Sequence, residues 1–589
     1  MQKHDKFGFV KVASAVPRVK VADCKYNCER ILELMEEAEK EGVSLLVFPE
    51  LSITGYTCAD LFQQAVLLAA AREALSTIAA ATISKYKGLL FVGLPLALDD
   101  QLFNCAAAVQ GGKVLGVVPK SFIPNYKEFY ERRWFAAAEN TTLTQIQLAG
   151  ESVPFGTDLL FVAEDFEGLV VGAEICEDLW VPIPPSSYQA LAGATVLVNL
   201  SASNELIGKA DYRRQLVTNQ SGRCLAAYIY SSCGTGESST DLVFSGHGLI
   251  AENGSLLCEN MRFEKEGILQ ISDIDVQKLG LERIRTNTFG DNKRNEADKN
   301  QFRKIGFSAD ARADESKLCR EVEAHPFVPR GKERLDLRCQ EIFHIQVAAL
   351  RKRLQFVQEA VRNNNVAIGI SGGLDSTLAL LVLCKAMDSL DLPRTNILAY
   401  TMPGFGTTTR TKTNAQALMK NLGVQTHEID IRTLCFDELK ALKHKPFGLD
   451  INGMSLEQFC AALGQLPEGS GDLVFENVQA RMRTSLLMNA GFVVGTGDLS
   501  ELALGWCTYN ADHMSMYNPN ASIPKTLVKF LVNWAADYEF QDNTKLILHD
   551  VVATEISPEL LPPGKDGKIA QKTESAVGPY ELNDFFLFQ

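Results

Sequence analysis

Short, largely apolar segments alternate with helical segments along this chain, and this pattern restricts its fold more than any other sequence feature. In the first half the apolar segments include residues 43–48, 89–95, 169–176 and 194–201. A strand without a polar face must be covered on both sides, as happens in sheets that have other layers packed against them. The sequence therefore predicts covered sheets, and hence layered α/β domains.

The length of the chain predicts more than one such domain. At 589 residues the chain exceeds what one hydrophobic core usually supports. Its length favours two large domains or about four small ones. Hydrophobic residues make up 46% of the chain and charged residues 22%, a globular composition that excludes a disordered or fibrous protein.

The charge balance and the cysteines indicate the cellular compartment of the protein and the partners that it lacks. With 58 Lys and Arg against 72 Asp and Glu, the net charge of −14 argues against binding of nucleic acid or of a membrane surface. No apolar run reaches the ~18 residues of a membrane helix. Charge returns at Lys11, too early for a signal peptide. The 14 cysteines have no CxxC spacing and are predicted to be reduced thiols, so we expect a cytoplasmic protein.

A polar stretch in the middle of the chain sets the predicted domain boundaries. The strand and helix patterns fade between residues 283 and 338, and residues 291–300 are almost wholly polar. Apolar residues at helical spacing return over 341–361. The sequence therefore predicts a first domain at 1–282, a charged, solvated connector at 283–338 and a second domain at 339–589.

Three predicted strands of the first domain end in reactive residues, namely Glu50, Lys120 and Cys176. Taken singly, such residues are most often a loop carboxylate, an exposed lysine and a small buried thiol. Their types match one chemistry when they are taken together. A thiol attacks an amide carbon as its thiolate, so a carboxylate must take the thiol proton. An ammonium group and a backbone N–H can stabilise the oxyanion that then forms.

The strings around these residues resemble the nitrilase, or carbon–nitrogen hydrolase, superfamily. They are Phe-Pro-Glu-Leu-Ser-Ile-Thr-Gly-Tyr ending at Tyr56, Pro-Lys-Ser-Phe-Ile-Pro-Asn-Tyr-Lys-Glu ending at Glu128, and Glu-Ile-Cys-Glu-Asp-Leu-Trp ending at Trp180. The resemblance implies a four-layer α-β-β-α sandwich in which a Glu–Lys–Cys trio hydrolyses amides. It also implies that Glu128 is a supporting catalytic acid, with a plain surface carboxylate as the alternative.

The resemblance further implies a glutamine-binding role for three residues. In the fused amidotransferase relatives, glutamine is bound at the positions of Tyr126, Ser203 and Lys209. Lys209 stands where an arginine is more usual. It would therefore hold the substrate carboxylate as a point charge, without the two-pronged geometry of a guanidinium.

The second domain carries a nucleotide signature after its first predicted strand. Residues 365–370 form a buried strand that leads into Ser-Gly-Gly-Leu-Asp-Ser at 371–376 and then into a helix. In this arrangement backbone N–H groups and a helix N-terminus hold phosphate. There is no Walker A sequence. The string from Gly369 to Ser376 instead resembles the pyrophosphate loop of ATP pyrophosphatases, which implies cleavage of ATP to AMP and diphosphate on a doubly wound, Rossmann-like parallel sheet.

Motifs further along resemble glutamine-dependent NAD⁺ synthetases, and at this level the resemblance spans nearly the whole chain. They are Phe-Glu-Asn-Val-Gln-Ala-Arg at 475–481, a strand with a polar C-terminal end at 492–501, and Trp-Cys-Thr-Tyr at 506–509. The resemblance implies Mg²⁺ as cofactor, with Asp375 and Glu501 as ligands, because carboxylate oxygens suit a hard cation. The alternative for these two carboxylates is an interaction with a helix N-terminus.

The same resemblance assigns the other contacts of the second domain. The residues implied for ATP are Gly369, Ile370, Ser371, Gly372, Gly373, Leu374, Asp375, Ser376, Thr496 and Lys525. The residues implied for deamido-NAD are Asn477, Arg481, Glu501, Trp506, Cys507, Thr508 and Tyr509. For Trp506 and Tyr509 a place in the hydrophobic core is the alternative.

The two halves together predict an enzyme that hydrolyses glutamine through a Cys176 thioester and uses the ammonia to amidate adenylylated deamido-NAD. Another glutamine-dependent ATP pyrophosphatase, such as a GMP synthetase, would share the loop but would pair it with a Cys–His–Glu glutaminase. A degenerate nucleotide-binding scaffold would have lost a catalytic residue, and none is missing. We expect small-molecule substrates, no nucleic-acid or membrane partner, and a homo-oligomer.

Overall fold

The computed structural model of the chain describes a set of eight segments, residues 7–148, 150–296, 301–309, 318–361, 365–407, 409–467, 470–553 and 573–589. The chain forms two compact units, Met1–Val322 and Glu323–Gln589. No helix within the described segments combines the length and the apolar character that crossing a lipid bilayer requires.

The first unit contains two large sheets and helices that pack on them. Its strands are β1 (Phe9–Val16), β2 (Leu45–Val47), β3 (Leu89–Leu98), β4 (Gln101–Gln110), β5 (Lys113–Pro119), β6 (Gln145–Leu148), β7 (Glu151–Pro154), β8 (Leu159–Ala163), β9 (Val170–Ile175), β10 (Val196–Ser201), β11 (Ala227–Ser232), β12 (Gly248–Glu252), β13 (Ser255–Glu259), β14 (Ile268–Asp275) and β15 (Arg303–Phe307). Its helices are α1 (Cys24–Lys40), α2 (Ala65–Ala81), α3 (Pro185–Ala192), α4 (Lys209–Cys224), α5 (Val276–Arg285) and α6 (Asn287–Glu296).

The two sheets have different strand orders. One sheet runs β14-β1-β2-β3-β4-β5 and the other β13-β12-β11-β10-β9-β8-β15, while β6 and β7 form a separate hairpin. The central strands β1, β2 and β3 are parallel, as are β9, β10 and β11. β4 and β5 form an antiparallel hairpin that turns at Gly111-Gly112.

Three layers of apolar side chains hold four layers of secondary structure together. Between the sheets, Phe91 packs edge-to-face on Phe161 with ring centroids 5.3 Å apart. Ile31 of α1 and Ile78 of α2 are fully buried in the core on the outer side of the first sheet. Val217 of α4 is fully buried on the outer side of the second sheet. This arrangement confirms the predicted α-β-β-α sandwich.

Part of the predicted connector belongs to the first unit. β15, at 303–307, pairs in parallel with β8 at the edge of the second sheet. Arg303 anchors this strand, because its Nε donates a 2.7 Å hydrogen bond to Asp158 Oδ2. The prediction of a solvated linker is therefore corrected here, since a short edge strand needs few apolar residues and its sequence resembles a loop. Residues 297–300 and 310–317 of the predicted connector lie outside the described residues.

The second unit contains one sheet surrounded by helices. Its strands are β16 (Val366–Gly369), β17 (Ile397–Thr401), β18 (Gln425–Glu428) and β19 (Phe492–Val494). Its helices are α7 (Lys332–Val361), α8 (Leu374–Asp388), α9 (Thr409–Leu422), α10 (Arg432–Ala441), α11 (Leu456–Leu463), α12 (Leu473–Ala490), α13 (Leu499–Leu504), α14 (Lys525–Tyr538), α15 (Asp542–Val552), α16 (Thr573–Val577) and α17 (Tyr580–Phe588).

This sheet is parallel, with the order β18-β17-β16-β19. One apolar core joins it to α7, α8 and α14, and a second core contains α10, α11 and α12, which confirms the doubly wound prediction. The chain passes from β16 to β17 on one side and later reaches β19 on the other. Ligands of such sheets bind beyond the carboxyl ends of the strands where the order reverses, which here is between β16 and β19.

Candidate active sites

The first candidate site lies where β2, β5 and β9 end. Glu50 follows β2, whereas Lys120 and Cys176 directly follow β5 and β9. Lys120 Nζ donates a 2.6 Å hydrogen bond to Glu50 Oε1. The charges of both residues affect the pKa of the Cys176 thiol. Glu50 and Lys120 are fully buried, and Cys176 is 5% exposed. The structure thus brings together the three residues that the sequence singled out.

A second carboxylate, that of Glu131, contacts Lys120 and was not predicted. Lys120 Nζ lies 2.9 and 2.8 Å from the two Glu131 oxygens, and the Tyr56 hydroxyl donates a 2.8 Å hydrogen bond to Oε1. Glu128, the residue predicted as supporting acid, is half-buried and accepts a 3.0 Å hydrogen bond from Asn204 Nδ2. The carboxylate that contacts Lys120 is therefore that of Glu131, whereas the Glu128 carboxylate contacts Asn204.

The backbone between these two glutamates explains their different positions. The Glu131 N–H donates a 3.1 Å hydrogen bond to the Pro124 carbonyl, and a 3₁₀ turn begins at Glu131. Four residues later, Phe135 is buried against Phe62 with ring centroids 5.0 Å apart. The turn therefore directs Glu131 and Phe135 inward. This spacing of four is the sequence signal that could have identified Glu131.

The Glu50 carboxylate is arranged to accept a proton. Its Oε1 accepts hydrogen bonds from Lys120 and from Asn104 Nδ2 (2.6 Å), whereas Oε2 has no hydrogen-bond partner among the described residues. Burial raises the pKa of Glu50 to about 7; Lys120 opposes this rise and the charge of Glu131 adds to it. Burial, followed by the charge of Glu50, also raises the pKa of the Cys176 thiol. Cys176 is therefore a thiol at rest and needs a base to become nucleophilic.

The backbone at Cys176 has an unusual conformation. Its φ of 45° lies in the left-handed region, which residues with a Cβ rarely adopt. Its N–H donates a 3.1 Å hydrogen bond to Asn199 Oδ1, and Asn199 Nδ2 donates one of 3.1 Å to the Tyr228 hydroxyl. Such strained residues cluster at functional sites, where the surrounding structure holds them in place. The buried Asn199 and Tyr228 provide that support here.

A charged cluster near the trio joins Lys209, Asn204 and Glu128. Lys209 is the first residue of α4, and its Nζ donates to Asn204 Oδ1, while Asn204 Nδ2 donates to Glu128. The Lys209 ammonium also lies 5.4 Å from the ring centroid of Trp180. Burial lowers the pKa of Lys209, and Cys176 opposes this shift when it is a charged thiolate. An ammonium and a carboxylate held by one neutral amide match the two charged ends of a free α-amino acid.

The other two residues predicted to bind glutamine are placed differently. The Tyr126 hydroxyl donates a 2.9 Å hydrogen bond to Glu177, and both residues line a cavity of about 840 Å³. Ser203 is buried, and its hydroxyl accepts a 3.2 Å hydrogen bond from Arg213 Nη2. Because Glu177 follows Cys176 in the chain, this cavity extends to the immediate neighbour of the reactive thiol.

The second candidate site lies where the strand order of the second unit reverses. In the loop after β16, Gly372 has a φ of 89°, and Ser371 Oγ accepts a 3.2 Å hydrogen bond from the Gly373 N–H. The N-cap of α8 is Gly373, which has no side chain to bind the first N–H groups of the helix. Uncapped N–H groups of this kind bind phosphate. All eight residues from Gly369 to Ser376 line a cavity of about 640 Å³.

Three carboxylates form an acidic cluster, defined here as Asp375, Asp498 and Glu501, whose oxygens lie within 4.8 Å of one another. Lys525 Nζ lies 2.7 Å from Asp375 Oδ2, 2.9 Å from Asp498 Oδ2 and 2.8 Å from Glu501 Oε1. Asp498 was not predicted. Its side chain caps α13 by accepting a 2.8 Å hydrogen bond from the Glu501 N–H, a spacing of three that marks a helix start in the sequence.

The acidic cluster has the donors that a hard divalent cation requires. Asp375 Oδ1 is buried and has no hydrogen-bond partner among the described residues. Burial raises the pKa of Asp498 to about 6 and that of Glu501 to about 7, and the Lys525 ammonium opposes both rises. Three carboxylates carry more negative charge than one lysine neutralises, so these residues fit a cation such as Mg²⁺.

The residues predicted to bind deamido-NAD divide into two sets. Those that line the second cavity are Asn477, Glu501, Trp506, Cys507 and Thr508, and the ATP residues Thr496 and Lys525 line it with them. Arg481 and Tyr509 do not line it. Arg481 Nε donates a 3.1 Å hydrogen bond to the Tyr509 carbonyl, and Tyr509 is 73% exposed. The cavity-facing residues of α12 follow helical spacing from Asn477 to Thr484, and Arg481 falls outside that face, whereas the unpredicted Arg483 lines the cavity.

Two family models match the chain. Residues 11–283 match the model described as carbon-nitrogen hydrolase, and residues 347–561 match the one described as NAD synthase. The glutamine-dependent NAD(+) synthetase of Mycobacterium leprae is 44% identical over 590 residues, which cover 99% of this chain and 83% of the relative. The chain belongs to the glutamine-dependent NAD(+) synthetase family.

More distant members of this family are similar over the same length. The glutamine-dependent NAD(+) synthetase of Thermotoga maritima is 27% identical, and the similarity covers 96% of this chain and 86% of the relative. A crystal structure of the enzyme from Cytophaga hutchinsonii matches 93% of this chain and 84% of its own, with 20% identity and a TM-score of 0.41. The two family models and the Mycobacterium leprae relative confirm the family resemblance that the sequence motifs indicated.

Proposed function

We infer that this chain makes NAD⁺ by amidating deamido-NAD, with ATP as the source of energy and glutamine as the source of nitrogen. Its products are NAD⁺, glutamate, AMP and diphosphate. Similarity to the Mycobacterium leprae enzyme over 99% of the chain supports this activity. The observation that carries it is that one chain contains both a buried Glu–Lys–Cys trio and a phosphate-binding loop beside an acidic cluster.

In the first unit Cys176 is the nucleophile that opens the amide of glutamine. Glu50 accepts the thiol proton through Oε2, which has no hydrogen-bond partner in the described part of the chain, and the thiolate attacks the amide carbon. The Lys120 ammonium and a backbone N–H beside Cys176 stabilise the oxyanion. Glu50 then protonates the leaving ammonia, and water hydrolyses the thioester to glutamate. Glu131 keeps Lys120 charged and in position.

Recognition of glutamine uses the charged cluster beside the trio. Lys209 pairs with the α-carboxylate of the substrate, and Glu128 pairs with its α-ammonium group. The amide of Asn204, which contacts both side chains, fixes the distance between the two charges. Tyr126 and Ser203 complete the binding pocket. Glu128 thus acts in binding, and it has no part in proton transfer.

In the second unit the loop from Gly369 to Ser376 binds the phosphates of ATP. Mg²⁺, held by the acidic cluster, is the expected cofactor, and when bound it neutralises charge on the departing diphosphate. Lys525 adds a positive charge beside the same phosphates, and Thr496 contacts the nucleotide. The side chains that hold deamido-NAD are those of Asn477, Trp506, Cys507 and Thr508, with Arg483 as a further cation on the cavity wall.

The second half of the reaction needs no nucleophile from the protein. A carboxylate oxygen of the nicotinate group attacks the α-phosphorus of ATP, and diphosphate leaves. Ammonia from the first half then attacks the activated carboxyl carbon, and AMP leaves. Positioning and charge neutralisation by the residues of the cavity account for this step.

The remaining features of the proposal concern partners and location. The substrates are small molecules, and the net charge of −14 disfavours nucleic acid as a partner. We expect a cytoplasmic homo-oligomer. Size-exclusion chromatography with light scattering tests the oligomer, because a particle of 64.7 kDa would be a monomer and would contradict it.

Isotope labelling tests the activity as a whole. The protein is incubated with MgATP, deamido-NAD and glutamine that carries ¹⁵N in its amide. We expect NAD⁺ that contains the label, together with equal amounts of AMP and diphosphate. Formation of ADP and phosphate, or of no amidated dinucleotide at all, would contradict the proposed function.

A further inference from the structure

Helix α14 begins at Lys525 without a capping side chain of its own. Its N-cap is Pro524, whose side chain cannot accept a hydrogen bond. The first N–H groups of a helix need acceptors from elsewhere. Asp584 of α17 supplies one, because its Oδ2 accepts hydrogen bonds of 3.0 Å from the Thr526 N–H and 2.7 Å from the Thr526 hydroxyl.

The same carboxylate also holds α13. Asp584 Oδ1 accepts a hydrogen bond from Ser500 Oγ, which itself accepts one of 2.8 Å from the Lys525 N–H. Asp584 is 2% exposed and Ser500 is fully buried. One buried carboxylate therefore ties together the backbone at Lys525 and the residue that precedes Glu501.

A second residue of α17 covers the lysine of the acidic cluster. The ring centroid of Tyr580 lies 5.6 Å from Lys525 Nζ, and Tyr580 is 4% exposed. Helix α17 thus contacts the side chain of Lys525 through Tyr580. It is linked to the backbone of Lys525 through Asp584 and Ser500. These contacts position the side chains of Lys525 and Glu501. Both side chains line the cavity of about 640 Å³ at the second candidate site.

We propose that Asp584 is a positioning residue of the ATP site. Helix α17, which carries Asp584, therefore helps to position the residues of that site. Asp584 acts through Ser500 and Thr526, which adjoin Glu501 and Lys525 in sequence. The proposal rests on the function proposed above. Residues that orient the groups around a cation typically change affinity or activity by about 10–100-fold when they are removed.

The test compares Asp584→Ala and Asp584→Asn with a matched loss of a helix cap elsewhere in the second unit. Ser455→Ala serves as that control, because Ser455 caps α11 by accepting a 3.3 Å hydrogen bond from the Gln458 N–H. Calorimetry measures the Kd of MgATP on the full chain at a temperature where every variant is folded. AMP formation with saturating ammonium and glutamine hydrolysis are measured on the same preparations.

We expect Asp584→Ala to weaken MgATP binding and to slow AMP formation, each by about 10–100-fold. Asp584→Asn should lose less, since the amide keeps one acceptor oxygen, and Ser455→Ala should change neither quantity. Glutamine hydrolysis should be unchanged in every variant.

An unchanged Kd and an unchanged rate in folded Asp584 variants would overturn the inference. If Asp584→Ala does not fold, Asp584→Asn decides, and MgATP binding equal to that of the unaltered protein overturns the inference. Failure of the unaltered protein to form AMP from deamido-NAD would instead refute the proposed function.

Discussion

A buried lysine lies among carboxylates in both sites, but the two arrangements differ in exposure and in charge. Lys120 contacts Glu50 and Glu131, and none of the three side chains is more than 2% exposed. Lys525 contacts the acidic cluster, in which the side chains of Asp375 and Glu501 are 21% and 25% exposed. With all groups ionised, the first site has one excess negative charge and the second has two.

The difference separates two uses of the same kind of ion pair. The first site is closed to solvent. In this closed site Lys120 keeps its charge and orientation, and burial raises the pKa of the neighbouring base, Glu50, which suits proton transfer. In the half-open site, the excess negative charge can be balanced by a cation and by the phosphates that accompany it. The first site is enclosed by a sandwich of two sheets, whereas the second lies at the open end of a single sheet.

The comparison predicts that loss of the lysine destabilises the first site more than the second. Lys120→Met leaves Glu50 and Glu131 buried without a counter-charge, and we expect the free energy of unfolding of the first unit to fall by about 3–5 kcal/mol. Lys525→Met leaves one buried carboxylate, that of Asp498, and two that water can partly reach, those of Asp375 and Glu501, so its loss of stability should be smaller. Urea unfolding of both variants measures the difference. Equal losses would contradict the contrast in burial.

A second pair of variants distinguishes the two glutamates of the first unit. Glu131→Gln removes a charged partner of Lys120, and we expect the kcat of glutamine hydrolysis to fall about 100-fold. Glu128→Gln removes a contact to the substrate ammonium group, so the KM for glutamine should rise about tenfold with kcat unchanged. Steady-state kinetics of glutamine hydrolysis measure both. The reverse pattern would restore Glu128 as the supporting acid.

Asp498→Asn sharpens the contrast in charge. The substitution keeps the size of the side chain but removes one negative charge from the acidic cluster. We expect the Mg²⁺ concentration for half-maximal AMP formation to rise about tenfold. Glutamine hydrolysis should be independent of Mg²⁺ in the unaltered protein and in the variant. A Mg²⁺ requirement for glutamine hydrolysis would break the separation between the two sites.

The pH dependence of glutamine hydrolysis reports on the closed site. Glu50 accepts the Cys176 proton only when it is ionised, and burial raises its pKa to about 7. The rate should therefore fall as the pH is lowered through about 7. The charge of Glu131 raises the pKa of Glu50, so in Glu131→Gln the fall should occur at lower pH. If the rate of the unaltered protein stays constant down to pH 4.5, the ordinary pKa of a glutamate, the result would be inconsistent with this account.

The sequence was sufficient to predict the positions of residues that adjoin buried strands. Glu50, Lys120, Cys176 and the loop at 369–376 each follow an apolar strand, so the end of the strand determines where the side chain lies. Layered α/β domains were predictable because alternation of apolar strands with helices is a local pattern. The four-layer sandwich and the doubly wound sheet were implied by the family resemblance.

Residues whose position depends on tertiary packing could not be predicted in this way. Glu131 reaches Lys120 through a turn, and Asp584 reaches α13 and α14 from a helix far along the chain. Asp498 had a local signal, since it caps α13, but its place in the acidic cluster depends on Lys525. The edge strand β15 was missed because an edge position requires little apolar sequence.

The central claim is that two chemistries occupy separate sites of one chain, and Cys176→Ala tests it most directly. The variant lacks the nucleophile of the first unit and keeps every residue of the second. Glutamine-dependent formation of NAD⁺ should fall by at least about 10⁴-fold. Formation of NAD⁺ with saturating ammonium should continue at the rate of the unaltered protein. A folded variant that fails with ammonium as well, or that still uses glutamine, would contradict the account.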